Sequence, residues 1–419
     1  MKTFFTILFL SLCFQGIAQN DVVADVKFQG QKKNKVGFLK KYVSVRNGDV
    51  LDSLQLEQDV VLLKRLAGVS HANYQVFLSE DNRYNVFFNI EENFTLIPNV
   101  NVWTTTNEQV AYKVGLYDYN FLGRNIAFGG FYQNNGFDSY GINLRMPNLF
   151  TRNFGIALNH QNWTSEEPLY FDEGSANYKY SNTSFEALLL YQINFKHRIQ
   201  FGANVFSEKY NYLNGLTSDE IPQSLALDKF LLKFAYEYNN LDYEYQYIEG
   251  IKNTFYFQYV TSENSFQDNF LIGWSDFMYF KRVGEKGNWA NRFRFGVASN
   301  SASPFAPFSV DNNLNIRGVG NLIDRGTASM VLNTEYRHTL YEKGWFILQG
   351  NTFIDVGTWR NPGGTFSDFA NSENLRIYPG IGLRFIHKRI FNATFRIDYG
   401  YGITKDSSSG IVFGIGQYF

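Results

Sequence analysis

The sequence predicts a mainly β fold: a transmembrane antiparallel β-barrel of about 16 strands, preceded by a small α+β domain. Aromatic residues make up 18% of the 419 residues, whereas the chain has only 8 Pro. After the first 18 residues, no apolar run approaches the roughly 20 residues that a membrane-spanning helix needs. The C-terminal part instead alternates apolar and polar residues, which is typical of strands with one face in lipid and one in a wet lumen.

The first residues have the pattern of a secretory signal. Lys2 precedes an apolar run from Phe4 to Phe14, and Gly16-Ile17-Ala18 supplies small residues for cleavage after Ala18. A buried N-terminal helix is the alternative, and Cys13 raises a lipoprotein reading that the bulky Leu12 disfavours. Cys13 is the only cysteine, so residues 19–419 can form neither a disulfide nor a metal site with thiolate ligands. Export and β-rich composition together predict a barrel in the bacterial outer membrane.

Residues 19–93 form the predicted α+β domain. An alternating strand comes first, then a helix for which Asn34 is the expected N-cap. Asp52 and Gln55 have capping-box spacing at the start of a second helix, which Gly68 follows. Two further alternating segments form a hairpin. The alternating segments are, in order, Val22–Phe28, Tyr74–Leu78 and Tyr84–Ile90.

Residues 94–419 are assigned to the barrel. At roughly 20 residues per strand and connection, this length gives about 16 strands, an even number as bacterial barrels have. The alternation is clearest at residues 391–402, where an apolar and a polar set occupy opposite faces. The strands of a soluble β-sandwich also alternate. They rarely, however, carry charged residues on one face and an unbroken set of apolar and aromatic residues on the other in strand after strand. The apolar set is Phe391, Ala393, Phe395, Ile397, Tyr399 and Tyr401, and the polar set includes Asn392, Thr394, Arg396 and Asp398.

One arginine and two carboxylates are predicted to meet inside the lumen. Arg317 lies in a long polar stretch, Ser301–Asn321, which is interrupted by Pro304 and Pro307. Loops of this length without their own structure are usually functional or disordered. Glu335 and Asp355 lie on the next two predicted strands, and alternation points both inward. The planar fork of arginine suits paired carboxylates, and Gly318 and Gly320 fit a tight turn at the loop tip.

Several segments in order resemble one family. Val26-Lys27-Phe28-Gln29-Gly30, with the closing Ile90-Glu91, resembles a POTRA domain. The later segments Gly115–Gly123, Ile316-Arg317-Gly318, Asn333–Arg337 and Phe353-Ile354-Asp355-Val356-Gly357 resemble strand and loop motifs of the BamA/TamA-like outer-membrane protein assembly superfamily. Since the chain shows a single POTRA-like domain, it resembles an accessory or specialised member.

The resemblance implies a loop folded back into the lumen and locked there by Arg317, Gly318, Glu335 and Asp355, with Ile316, Val319 and Gly320 at the loop turn. Val319 departs from the family, which usually has an aromatic residue at this position. The last strand, with Gly410, Gly414, Gly416 and the aromatic Phe419, is predicted to form a weak seam because glycines supply few side-chain contacts. Gln417 departs from the apolar choice usual near such an end.

The implied function is insertion of outer-membrane proteins, or translocation of a protein across the outer membrane, with the N-terminal domain in the periplasm. Expected partners are unfolded outer-membrane or secreted client proteins, periplasmic chaperones or accessory subunits, and the lipid bilayer. The net charge of −1 gives no reason to expect nucleic acid. The alternative is a passive, porin-like channel. An enzyme is not expected, because none of the five His lies in a recognisable triad arrangement, and neither a cofactor nor a metal is expected.

Overall fold

A computed structural model describes residues 21–104, 110–149, 151–171, 173–219, 221–262, 268–300, 305–310, 315–319, 324–405 and 407–419. The predicted signal peptide, residues 1–18, lies outside these residues. The fold class is confirmed: a sixteen-stranded antiparallel sheet curls into a nearly closed barrel and follows a small α+β unit. Within the described part, no helix is both long and apolar enough to cross a membrane.

The N-terminal unit has the order strand, helix, helix, strand, strand. Its three-stranded sheet has the order β1-β3-β2, in which β1 pairs parallel with β3 and β2 forms an antiparallel hairpin with β3. Leu39, Leu56, Leu63 and Phe88 are fully buried between the helices and the sheet. The elements are β1 (Val23–Gln29), α1 (Val36–Tyr42), α2 (Ser53–Lys64), β2 (Val69–Leu78) and β3 (Tyr84–Glu92).

The two helix starts differ in how well the sequence predicts them. Asp52 caps α2 as expected, since its carboxylate accepts hydrogen bonds from the backbone N–H groups of Leu54 and Gln55. The prediction for Asn34 is wrong: Lys35 is the N-cap of α1, and it makes no side-chain cap. The Asn34 amide is buried, donates to the Gly68 carbonyl at 3.0 Å, and accepts from the Asn120 amide at 3.0 Å. Its hydrogen bonds therefore join the N-terminal unit to the barrel.

Each barrel strand pairs with the next barrel strand along the chain, β14 pairing with β17, and all pairs are antiparallel. Along residues 394–401, Phe395 and Tyr399 point outward and are exposed, whereas Arg396 and Asp398 are buried, so the predicted alternation is confirmed there. The strands are β4 (Leu96–Thr104), β5 (Val110–Phe121), β6 (Ile126–Asn134), β7 (Asp138–Met146), β8 (Phe154–Phe171), β9 (Gly174–Gln192), β10 (His197–Gly215), β11 (Ser224–Glu244), β12 (Tyr247–Ser262), β13 (Phe270–Val283), β14 (Gly287–Ala298), β17 (Ala328–Lys343), β18 (Phe346–Arg360), β19 (Leu375–His387), β20 (Thr394–Tyr401) and β21 (Ser409–Ile415).

The sequence predicts a long loop without regular structure before β17, but the structure differs there. Within it, β15 (Phe308–Val310) and β16 (Asp324–Gly326) form a short antiparallel pair. Two 3₁₀ helices, Phe366–Ala370 and Ser372–Asn374, lie between β18 and β19. The side-chain amide of Asn315 donates to the carbonyl of Ser309 in β15 at 2.7 Å, so the strand pair lies beside the segment that carries Arg317.

The two end strands of the sheet, β4 and β21, leave the barrel open along one line. Within the described residues they are the sheet edges and form no ladder with each other. The nearest backbone pairing lies outside these strands: the Phe94 N–H donates to the Arg389 carbonyl at 2.7 Å, and the Phe391 N–H donates to the Phe94 carbonyl at 2.9 Å. We call the line between β4 and β21 the seam.

The end of β21 differs from the prediction. The strand stops at Ile415, and Gly416 has a left-handed φ of 92° and donates its N–H to the Thr394 carbonyl. Gly416 and Phe419 were predicted to belong to the last strand, but they lie beyond it. Tyr418 is buried, because the chain turns from the sheet into the lumen.

Candidate functional site in the barrel lumen

The site is built around the buried guanidinium of Arg317. Its Nε and Nη2 atoms donate to the two carboxylate oxygens of Asp355, each at 2.8 Å, in a fork-to-fork arrangement. The backbone N–H of Arg317 donates to the same carboxylate at 2.9 Å. Asp355 lies on β18 and faces inward as alternation predicts, so one wall residue holds both the side chain and the backbone of the loop.

Glu335 on β17 is the second carboxylate of the site. Its Oε2 atom lies 2.5 Å from Nη1 of Arg317, and its Oε1 atom accepts a hydrogen bond from Nε of Arg337. The structure therefore brings Arg317, Glu335 and Asp355 together, as the sequence predicts, and all three side chains have no solvent exposure.

Sequence reasoning missed the third carboxylate and its partners. Asp398 on β20 lies 3.8 Å from Arg317, and it accepts from Arg384 at 2.7 Å and from Arg396 at 3.2 Å. The alternation along β20 predicts that Arg396 and Asp398 face the lumen. It does not predict that side chains of β20 come close to those of β17. With Arg337 included, four arginines surround three carboxylates, and we call these seven residues the lumen cluster.

Two aromatic rings contact the Arg317 guanidinium. Its central carbon lies 3.6 Å from the centre of the Phe353 ring and 4.6 Å from that of Tyr418. Both distances suit cation–π attraction, which is stronger where water is excluded. The loop position next to Gly318 carries Val319 instead of a ring, and the rings come from β18 and from the segment after β21.

Glycines allow the loop backbone to lie directly on the last strands. Gly318 has φ of 93°, and a Cβ at this residue would lie 2.5 Å from the Gly400 carbonyl oxygen. Gly400 pairs with Gly410 across β20 and β21, and a Cβ at Gly410 would meet the Gly318 carbonyl at 3.4 Å. Gly410 therefore forms part of the surface under the loop tip. Gly414 and Gly416 make different contacts: a Cβ at Gly414 would touch the Arg396 guanidinium, and one at Gly416 the Asn392 amide.

Apolar packing holds the rest of the loop tip. Ile316 and Val319 are buried with Val310, Trp359 and Tyr378 in one hydrophobic cluster. Gly320, predicted at the loop turn, lies outside the described residues. Phe419 lies near the lumen cluster, since its carbonyl oxygen accepts from Arg337 at 3.3 Å.

The chemistry of this site is that of a fixed ionic contact. The described ranges contain no group of three or more His, Cys, Asp or Glu side chains placed to hold a metal ion. A fully buried ion-pair network fixes geometry strongly, because removing one member leaves an uncompensated charge. The arrangement can therefore hold a loop in one position against the lumen wall.

Solved structures share this fold at low sequence identity. No family model matches the sequence. BamA from Haemophilus ducreyi lacking POTRA domains 1–3 is 16% identical, with a TM-score of 0.54 over 94% of this chain and 83% of that one. CdiB from Acinetobacter baumannii is 12% identical, with a TM-score of 0.59 over 95% of this chain and 74% of that one. CdiB from Escherichia coli is 10% identical, with a TM-score of 0.61 over 94% and 75%. At these identities the likeness establishes the fold.

Proposed function

We propose that this chain, which has the fold of BamA and CdiB, belongs to the BamA/TamA-like superfamily and acts in the bacterial outer membrane. There it inserts client proteins into the membrane or passes a protein across it. The shared barrel architecture supports the location. Insertion and translocation both require a path for an extended polypeptide, and neither requires covalent chemistry.

The observation that carries the proposal is the seam. A closed barrel has no free strand edge, whereas β4 and β21 end the sheet without pairing to each other in the described part of the chain. An unpaired edge offers a row of N–H and C=O groups that can hydrogen-bond an incoming strand. A client segment added at this edge would gain a ladder of main-chain hydrogen bonds while remaining inside the membrane.

The N-terminal unit is proposed to be a POTRA domain in the periplasm that delivers the client. Its strand-helix-helix-strand-strand order supports this assignment. Residues 94–419 make up less than four-fifths of the chain, whereas the matches to BamA and CdiB cover 94–95% of it. Each match therefore extends into the N-terminal unit. Proposed partners are unfolded client proteins and periplasmic chaperones or accessory subunits.

The lumen cluster is proposed to lock the Arg317 loop inside the barrel. A passive channel needs an open lumen, whereas here a buried loop tip and an inward-turned Tyr418 contact the wall of β17–β20. The lock therefore favours the assembly or translocation function over a porin-like one. Large, steady conductance of the purified protein in a planar bilayer, combined with no client defect after deletion, would instead support the channel.

Depletion of the protein followed by quantitative proteomics of the outer membrane and the medium tests the function. Loss of a defined set of barrels supports insertion, and loss of one secreted protein supports translocation. Unchanged outer-membrane and secreted proteomes would refute both.

Cross-linking tests the seam separately. Cysteines scanned along β4 against a cysteine at Ile411 of β21 will find facing positions, and the oxidised pair should abolish activity until it is reduced. The matched control is a cysteine pair at Ile397 and Phe413, which already face each other across β20 and β21. Full activity with the seam closed would rule out strand addition there.

A further inference from the structure

A cavity of about 830 Å³ lies between the N-terminal unit and the barrel mouth. Tyr42 and Arg65 line it from the N-terminal unit, and Arg152 and Arg198 line it from the barrel. On the seam side, Gln417 lines it just beyond the end of β21. We call this space the mouth cavity.

The mouth cavity has an excess of positive charge. Arg65 donates to the carbonyls of Phe195 and Leu241, both at 2.9 Å, and Arg152 donates to the Ser44 hydroxyl at 2.9 Å. The direct hydrogen-bond acceptors of both guanidinium groups are therefore neutral, and the carboxylates that act on them, Glu237 and Asp242 on Arg65 and Asp59 on Arg152, do so through space. A cavity lined by several cationic side chains without direct carboxylate partners favours an anionic ligand.

Three arginines line the cavity from different parts of the chain: Arg65 follows α2, Arg152 lies between β7 and β8, and Arg198 lies on β10. Tyr42 lines the same cavity. Burial raises the pKa of its hydroxyl, and the three guanidinium groups oppose that shift. Arg198 also pairs with Glu237, but that carboxylate is shared with Lys252 at 3.2 Å, so it does not neutralise the cavity.

Three lining residues have buried polar atoms without a hydrogen-bond partner in the described ranges: Nε of Arg198, Oδ1 of Asn148 and Oε1 of Gln417. A buried polar atom is costly unless it is hydrogen-bonded, so each of these atoms favours a hydrogen bond with a group that enters the cavity. One is a donor and two are acceptors. A phosphate group offers only acceptors, whereas a peptide offers carboxylates and carbonyls together with backbone N–H groups.

We infer that the mouth cavity binds an extended acidic peptide segment of a client protein. Carboxylates would face the arginines, and backbone N–H groups would reach Asn148 and Gln417. Phe195 and Tyr243 also line the cavity and supply ring surface for aromatic side chains. Because Gln417 follows β21, a segment held here lies next to the strand edge of the seam. This inference rests on the proposed function, since it names the kind of segment that is guided to the seam.

Peptide binding to the full chain in nanodiscs of zwitterionic lipid tests the inference. The probe is a dye-labelled peptide of alternating Glu and Tyr, compared by fluorescence anisotropy with a Lys–Tyr peptide of equal length. The acidic peptide should bind, the basic one should not, and affinity should fall with added salt.

Arg198→Gln should weaken binding roughly tenfold, as expected for a lost charge-assisted hydrogen bond. Lys40→Gln, on the exposed side of α1, should leave binding unchanged.

A second variant guards against misfolding. Gln417→Glu adds a negative charge with little change of shape, and it should also weaken binding of the acidic peptide. The migration of unheated samples on a gel reports whether the barrel of each variant is folded. Equal binding of both peptides, or unchanged affinity in both variants, would overturn the inference. So would displacement of the peptide by phosphatidylglycerol nanodiscs alone. The assay measures no assembly, so a negative result leaves the proposed function standing, and a failed depletion experiment leaves the binding result standing.

Discussion

The centre of the Tyr418 ring lies 4.6 Å from the guanidinium carbon of Arg317, so the segment after the last strand touches the locked loop. The segment before that strand does the same, since the Ser408 hydroxyl donates to the Val319 carbonyl at 2.9 Å. Both ends of β21 therefore contact the loop tip. Because β21 is one side of the seam, we expect displacement of its edge to disturb the lock, and release of the loop to loosen the edge.

Tyr418→Ala should weaken this connection. Loss of a desolvated cation–π contact costs about 1–2 kcal/mol, and truncation of a buried ring adds a cavity cost, so the urea-unfolding free energy of the barrel should fall by at least about 1–2 kcal/mol. Tyr418→Phe keeps the ring and should retain most of this free energy. If the alanine variant matched the wild type, the ring contact would contribute nothing to the lock.

Asp355→Asn should destabilise the barrel more strongly. The change keeps the size of the side chain but leaves Arg317 without its two-point partner, and breaking a buried ion pair costs about 3–5 kcal/mol. Glu373→Gln is the matched control, because it breaks an exposed pair with Lys405 that is worth at most about 1 kcal/mol. Similar losses in the two variants, measured by the same urea titration, would mean that the lumen site is wet and weakly coupled.

Gly318→Ala tests the close backbone contact. The new Cβ would be strained by the left-handed φ and would also lie 2.5 Å from the Gly400 carbonyl oxygen. Gly48→Ala is the matched control, since Gly48 has almost the same left-handed φ, of 92°, but open space around it. The difference between the two unfolding free energies isolates the contact and should be at least about 1 kcal/mol. Equal losses would show that the loop tip moves away from β20 without cost.

The inward direction of Glu335 and Asp355 could be predicted because side chains alternate strictly along a strand. Their contact with Arg317 was implied by the resemblance to the BamA/TamA-like superfamily, and the planar fork of arginine suits such paired carboxylates. Asp398 and Arg384 could not be assigned to the same cluster, since this depends on how β17–β20 curve around the lumen. Alternation predicts which face of its strand a side chain occupies, but it does not predict the distance between side chains on strands that are not neighbours.

The position of Tyr418 lay beyond sequence reasoning for a different reason. A terminal aromatic on an alternating strand predicts continued pairing, but β21 has no neighbour on its outer side to hold its last residues in the sheet. Asn34 was misassigned similarly: a local signal for a helix cap was overridden by a buried partner, Asn120, far away in sequence. Both errors arise where a long-range contact outweighs a local preference.

The attachment of the N-terminal unit should depend on pH through Glu92. Its carboxylate accepts from the backbone N–H of Lys33 at 2.9 Å and of Asn34 at 2.7 Å. Burial raises the pKa of Glu92, but these hydrogen bonds outweigh it, so the pKa lies below its usual value.

A carboxylate whose pKa is lowered by folding stabilises the folded state above the unfolded pKa of about 4.3, and this contribution is lost as the pH falls through the folded pKa. Hydrogen exchange of residues 30–36, corrected for intrinsic rates, should therefore lose protection as the pH falls below the unfolded value of about 4.3 and through the lower folded pKa. Glu92→Gln should reduce protection at pH 7 and remove this pH dependence, whereas Glu57→Gln on exposed α2 should keep the wild-type profile. An unchanged profile in Glu92→Gln would assign the dependence to another group.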